Sequence, residues 1–143
     1  VNVSLENLNV ESNFLTELVI ADVIVTNDSK LILPELTQLK SIFACNVFIN
    51  KSVLDLSGSR GLTRVMLDNV TLNSGSQIML SGCQELTHLR LKNLKLTDFS
   101  LDLTESSNLT ELILVNITGA VKIKLSKCTE WNILELKTVN LDD

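Results

Sequence analysis

The feature that most constrains this chain is an internal repeat, because a sequence that repeats in register must stack its copies. Successive copies begin at Leu15, Leu39, Leu62, Leu86 and Leu109, and a partial sixth begins at Trp131. The starts are 24, 23, 24, 23 and 22 residues apart. The repeats are therefore 15–38, 39–61, 62–85, 86–108 and 109–130, with a partial repeat over 131–143. Residues 1–14 read as a degenerate copy, in which Leu8 and Val10 match the second apolar pair. Together they make a single domain over 1–143. The chain opens at Val1 and the pattern stops midway at Asp143, so the chain reads as a mature product or, better matched by the broken pattern, a fragment of something longer.

The first half of each copy alternates apolar and polar residues with period two, which makes it a strand with one buried face. The second half alternates again: LIL, LDL, IML, LDL and IKL. The residues expected to point inward there are Leu31 and Leu33, Leu54 and Leu56, Ile78 and Leu80, Leu101 and Leu103, and Ile123 and Leu125. Stacking the coils then gives a mainly β solenoid with parallel sheets on both sides and little or no helix. Composition agrees. The chain has one Pro, five Gly, no Tyr and one Trp, and a core of repeated aliphatic rows needs few aromatics and few turn-formers. A single coil cannot bury its leucines alone, so each depends on its neighbours. Full burial of one leucine stabilises by about 1.5–3 kcal/mol. The two ends of such a stack are exposed sheet edges unless they are capped.

The shared first half, LxxLxLxNVxL, resembles the leucine-rich-repeat signature LxxLxLxxNxL over most of the chain. The repeats are similar to the short, irregular ones of bacterial surface proteins and of invertebrate and early-chordate immune proteins. The chain departs from the family at the ladder asparagine, which is replaced by Val23, Val47, Val70, Leu94, Ile117 and Val139. An Asn stands one residue earlier, at Asn46, Asn69, Asn93 and Asn116. The resemblance implies a protein–protein recognition module, as in innate-immune sensing or adhesion, with a concave face formed by the first strands. The alternative is a structural or self-associating segment, forming a homodimer through an exposed apolar stripe or a terminal strand edge.

On that face the outward residues form three rows, about 4.8 Å from coil to coil. The central row is Val19, Phe43, Met66, Arg90, Ile113 and Glu135. One flanking row is Ala21, Cys45, Asp68, Lys92, Val115 and Lys137, and the other is Glu17, Ser41, Arg64, His88, Glu111 and Ile133. Val19, Phe43, Cys45 and Met66 make an apolar stripe on a face turned to solvent, which marks a contact surface or a patch covered by a flanking segment. Beside it Arg64, His88, Arg90 and Lys92 form a basic spot. That spot either receives an acidic partner or is a solvated surface offset by Asp68 and Glu111. These eight residues are the candidate binding set.

Nothing else in the sequence points to chemistry. The net charge of −5 lacks the basic excess that phosphates require, so no nucleic acid is expected. No apolar run is long enough for a membrane-spanning helix. His88 is the only histidine, and acid–base catalysis would need a positioned nucleophile and an orienting group beside it. No cluster of metal ligands and no phosphate-binding glycine loop occurs. No enzyme, cofactor or metal is therefore expected. Cys83 and Cys128 occupy equivalent corners two coils apart, roughly 9–10 Å by strand spacing, beyond the reach of a disulfide. An odd, unbridged cysteine count favours a reducing, cytoplasmic setting. Six Asn-x-Ser/Thr sequons, at Asn2, Asn27, Asn50, Asn69, Asn108 and Asn116, point instead to an extracellular one. Trp131, at the first leucine position of the last coil, is expected in the core or capping it, and Pro34 is expected to break the chain at a corner.

Overall fold

The computed structural model describes residues 3–4, 14–25, 30–32, 36–73, 75–97, 99–125, 128 and 130–141. These form twelve strands and, among the described residues, no helix. In chain order they are β1 (Val3–Ser4), β2 (Glu17–Ala21), β3 (Val23–Val25), β4 (Lys30–Ile32), β5 (Ser41–Ile49) and β6 (Val53–Asp55). They continue as β7 (Arg64–Leu72), β8 (Gln77–Met79), β9 (His88–Lys95), β10 (Phe99–Leu103), β11 (Glu111–Leu125) and β12 (Ile133–Leu141). Every pairing between them is parallel. The chain is a parallel β-solenoid of about five turns with a spacing of about 23 residues.

The first half of each repeat contributes one strand to a long sheet, except in the first repeat, which contributes β2 and β3. The second half contributes the short strands β4, β6 and β8, which form a separate three-stranded sheet on the other side. In the fifth coil the two faces join. The 15-residue β11 pairs with β9 through its first half and with β10 through its second, Phe99↔Val121 to Leu103↔Leu125. The expected two-sheeted, helix-free section is therefore observed.

A repeated kink lets each coil turn its corner without exposing its leucines. In β5 and β7 inward and outward residues alternate until two consecutive residues face out, Cys45–Asn46 and Asp68–Asn69, after which the alternation resumes in the opposite phase. The second residue of each pair lies in the left-handed region: Asn46, Asn69, Asn93 and Asn116 have φ of 52° to 55°, and Asp22 and Thr138 occupy the same place. Asn and Asp accept this conformation more readily than other side chains. The phase reset is what sends Val47, Val70, Leu94 and Ile117 inward, where each is at most 4% exposed. The asparagines stand outside and bond to one another along the stack. Asn46 Nδ2 donates to Asp22 Oδ1 (2.9 Å), Asn69 to Asn46 (2.8 Å) and Asn116 to Asn93 (2.9 Å). Asn93 departs by donating to Asp68 Oδ1 at 2.7 Å. An outer ladder of amides and carboxylates thus runs along the stack.

The interior is a continuous column of aliphatic side chains. Leu39, Leu62 and Leu86 at the repeat starts are fully buried, as are Ile42, Val65 and Leu89 three residues on. The facing rows Leu54/Leu56, Ile78/Leu80 and Leu101/Leu103 point inward as expected, each at most 5% exposed. In the fifth coil Ile123 is half-buried and packs against the core as expected, whereas Leu125 departs from the expectation at 44% exposure. Among the described residues no strand lies on their outer side. The Leu31 side chain, Leu33, Pro34, Leu8, Val10, Asn2 and Asn27 lie outside the described residues. Trp131 is half-buried and packs against the core.

The corners are held by side chains bonding to the backbone of the preceding coil. Thr63, Thr87 and Thr110 donate through Oγ1 to the carbonyls of Lys40, Thr63 and Thr87, at 2.9, 3.0 and 3.2 Å. At another corner Cys83 Sγ donates to Leu56 O, Ser106 Oγ to Cys83 O and Cys128 Sγ to Ser106 O. The three cysteines form no disulfide. Burial, reinforced by Asp55 and Glu105, pushes the Cys83 thiol up to about 12, so Cys83 serves as a small packed donor and not as a nucleophile.

Candidate partner-binding face

The outer face of the long sheet carries all eight candidate residues. Pairing is in register across the stack: Val19↔Phe43, Phe43↔Met66, Met66↔Arg90 and Arg90↔Ile113 for the central row. The flanking rows align in the same way, Cys45↔Asp68↔Lys92 on one side and Ser41↔Arg64↔His88↔Glu111 on the other.

Six of the eight line one depression of about 280 Å³: Val19, Phe43, Cys45, Met66, Arg90 and Lys92, with Ala44, Leu67 and Asp68 completing it. Its apolar end is open, since Val19 is 63% exposed. Phe43 and Met66 are half-buried, and Cys45 and Lys92 exposed. Arg64 and His88 stand in the flanking row and are not part of the depression.

The basic spot is less uniform than its composition implies. Arg90 grips the Glu111 carboxylate with two donors, Nε to Oε1 and Nη2 to Oε2, the latter at 3.2 Å. Glu111 is buried, at 5% exposure, so this is a fork-shaped pair fixed at the bottom of the face. The Arg90 hydrogen bond holds the Glu111 carboxyl below its ordinary value against the opposing effect of burial. The charges of Arg90, His88 and Arg64 add to it. Arg90 is raised in turn by the same bond. Asp68 is occupied by Asn93. That leaves Arg64 and Lys92 as exposed cations with no ion pair among the described residues. His88 sits half-buried with Nδ1 2.7 Å from Thr87 Oγ1. That hydroxyl already donates to Thr63 O, so the ring nitrogen is the donor in this contact.

Glu111 was visible in the sequence only as a charge offsetting the spot. The signal for its role was positional, since the row alignment places it beside His88 and one diagonal step from Arg90. Ile113, in the outward central row, is likewise covered, at 6% exposure.

The pair makes stability depend on acid. A carboxylate whose folded value is depressed contributes stability above its unfolded value, and that contribution is lost as pH falls through the folded value. The ordinary value is 4.5, so the loss falls below it. Thermal unfolding followed from neutral pH into that acid range is expected to show a falling midpoint in the native chain. In Arg90→Met the midpoint is expected to be lower at neutral pH and flatter with acid. Parallel curves would remove the pair from the account.

The chain matches no family model, no curated protein and no solved structure. The chemistry of this face must then be read from its own residues. Among the described residues no cluster of His, Cys, Asp or Glu is arranged to hold a metal ion, and no helix is long and apolar enough to cross a membrane.

Proposed function

We propose that the chain is a leucine-rich-repeat recognition module, and that its outer sheet face takes a protein segment carrying an apolar side chain next to a carboxylate. The observation that carries this reading is the depression of about 280 Å³, with Val19, Phe43 and Met66 at one end and Lys92 at the other. An apolar anchor entering it would displace water from Phe43 and Met66, and a neighbouring carboxylate would meet Lys92 with Arg64 on the flanking row. The face is preorganised: in-register parallel strands hold the rows and the bond to Glu111 fixes the Arg90 side chain, so little side-chain order is lost on binding. A role in innate-immune sensing or adhesion follows from the family resemblance alone.

The proposed role is binding without turnover. Supporting it, the hydroxyl nearest His88 is committed to a backbone carbonyl and is not aligned to lose its proton to the ring.

A displayed library of random linear peptides, panned on the native chain and counter-selected on Phe43→Glu/Met66→Glu, tests the reading. The enriched sequences are expected to pair an aromatic or aliphatic residue with Asp or Glu, and to lose binding at least about tenfold on Lys92→Glu. Clones that bind the native and double-variant chains equally would contradict it.

A further inference from the structure

Two cations of the outer face stand on opposite sides of its apolar centre. Arg64 begins β7 in one flanking row, and Lys92 lies on β9 in the other. Both are exposed, and neither makes an ion pair among the described residues. Met66 follows Arg64 by two residues on β7, and Phe43 is its register partner on β5. The charges around the two cations are engaged within the fold. Arg90 and Glu111 hold one another, and Asp68, the register neighbour of Lys92, accepts from Asn93 through Oδ1. His88, beside Arg64, bonds to Thr87 through Nδ1.

The spacing of these cations selects a ligand. Lys92 pairs with Asp68, so it lies one strand across from Arg64 and four residues along. At about 3.3 Å per residue and about 4.8 Å between strands, the two backbone positions are about 14 Å apart, on a line crossing β7 at about 20°. An extended segment laid on that line turns alternate side chains down to the face, and its residues i−2 and i+2 are about 13 Å apart. Its central side chain enters the depression at Phe43 and Met66, while the two flanking ones reach the rows of Arg64 and Lys92. The fit arises because the face and an extended ligand share a period of two. A helix covers the same span only over about nine residues.

We propose that the occupant of this face is an extended segment of a partner protein with the pattern acid–x–apolar–x–acid, whose two carboxylates meet Arg64 and Lys92. This rests on the reading that the face takes a protein segment, and adds to it a conformation, a second carboxylate and a spacing. Complementary charges at exposed positions fix the register of a complex and suppress wrong partners. A carboxylate moved by one residue points away from the face, so the site selects spacing as well as charge.

Fluorescence anisotropy with labelled peptides tests this. One peptide carries Glu-Thr-Phe-Thr-Glu between Gly-Ser flanks, and a second carries Thr-Glu-Phe-Glu-Thr, with the same composition and net charge. The native chain is expected to bind the first and to bind the second roughly fivefold more weakly or worse. Exchanging either Glu of the first peptide for Gln is expected to weaken it by a similar factor. Lys-Thr-Phe-Thr-Lys is expected to fail on the native chain and to bind Arg64→Glu/Lys92→Glu in preference to Thr-Lys-Phe-Lys-Thr. Both substituted residues are exposed, and circular dichroism confirms that the variant is folded; the comparison of peptides on the native chain needs no variant. Equal binding of the two Glu peptides, or no preference between the two Lys peptides on the double variant, would overturn the proposal. So would a first peptide that does not bind while panned clones bind and depend on Phe43 and Met66, an outcome that leaves the recognition reading standing. Binding by neither contradicts both.

Discussion

Gly119→Ala is expected to destabilise the solenoid by about 3–5 kcal/mol, or to prevent its folding. In preceding coils the equivalent position is a buried aliphatic: Val25, Ile49, Leu72 and Leu96, none more than 5% exposed. The fifth coil is the shortest, at 22 residues, and β11 runs through the corner without a separate turn. To close the shorter path the backbone presses against the coil beneath. A Cβ on Gly119 would lie 1.8 Å from Leu96 O, and φ there is +107°. Both the overlap and the dihedral exclude an L side chain. Gly75 is the control, because its φ is +80° but a Cβ there would meet nothing within 4 Å. Gly75→Ala is expected to cost only the conformational penalty, about 1–2 kcal/mol. Urea unfolding of the two variants checks the ordering. Equal effects would mean that the corner of the fifth coil is not drawn in against Leu96.

Leu89→Ala is expected to destabilise by about 3 kcal/mol, from lost transfer energy and a cavity that flanking coils cannot collapse to fill. Leu89 is 0% exposed and is paired to Val65 on one side and Leu112 on the other. Leu134→Ala removes the same atoms at the equivalent position of the last coil, where the side chain is 53% exposed. Its expected effect is about 1 kcal/mol, since only part of the side chain leaves water on folding. Urea unfolding of the two variants measures this gap, and equal losses would contradict the burial difference between the two positions.

The β character, coil length and core rows were legible because a stacked coil obeys one rule at every repeat: period-two alternation with leucines facing the same way. Six copies of that rule outweigh local ambiguities such as a Val where an Asn is usual. The outward rows were legible for the same reason, since register follows once the leucines are fixed. What escaped the sequence depends on backbone conformation and on packing. The asparagines at 46, 69, 93 and 116 were visible as displaced by one residue. That they occupy the left-handed region, reset the strand phase and bond to each other outside the core follows only from the φ values and distances. Glu111 read as a surface charge because its alternation is polar and outward, but Arg90 and the neighbouring strands close over it. Ile123 follows the inward rule and packs half-buried against the core, while Leu125 fits the same pattern and is 44% exposed. Gly119 breaks the repeat where a leucine is due, a departure that pattern-matching passes over and that the shortened corner makes obligatory.

The central claim is that successive coils lie parallel and in register, with one aliphatic interior between two sheeted faces. Interstrand amide-to-α-proton Overhauser contacts in the isotopically labelled chain test it most directly. Contacts are expected in the parallel pattern that aligns Val65 with Leu89 and Leu89 with Leu112, with extended-strand carbon shifts over residues 77–79 and 99–103. Antiparallel contacts between β7 and β9, a register displaced by one residue, or helical shifts in either segment would contradict it.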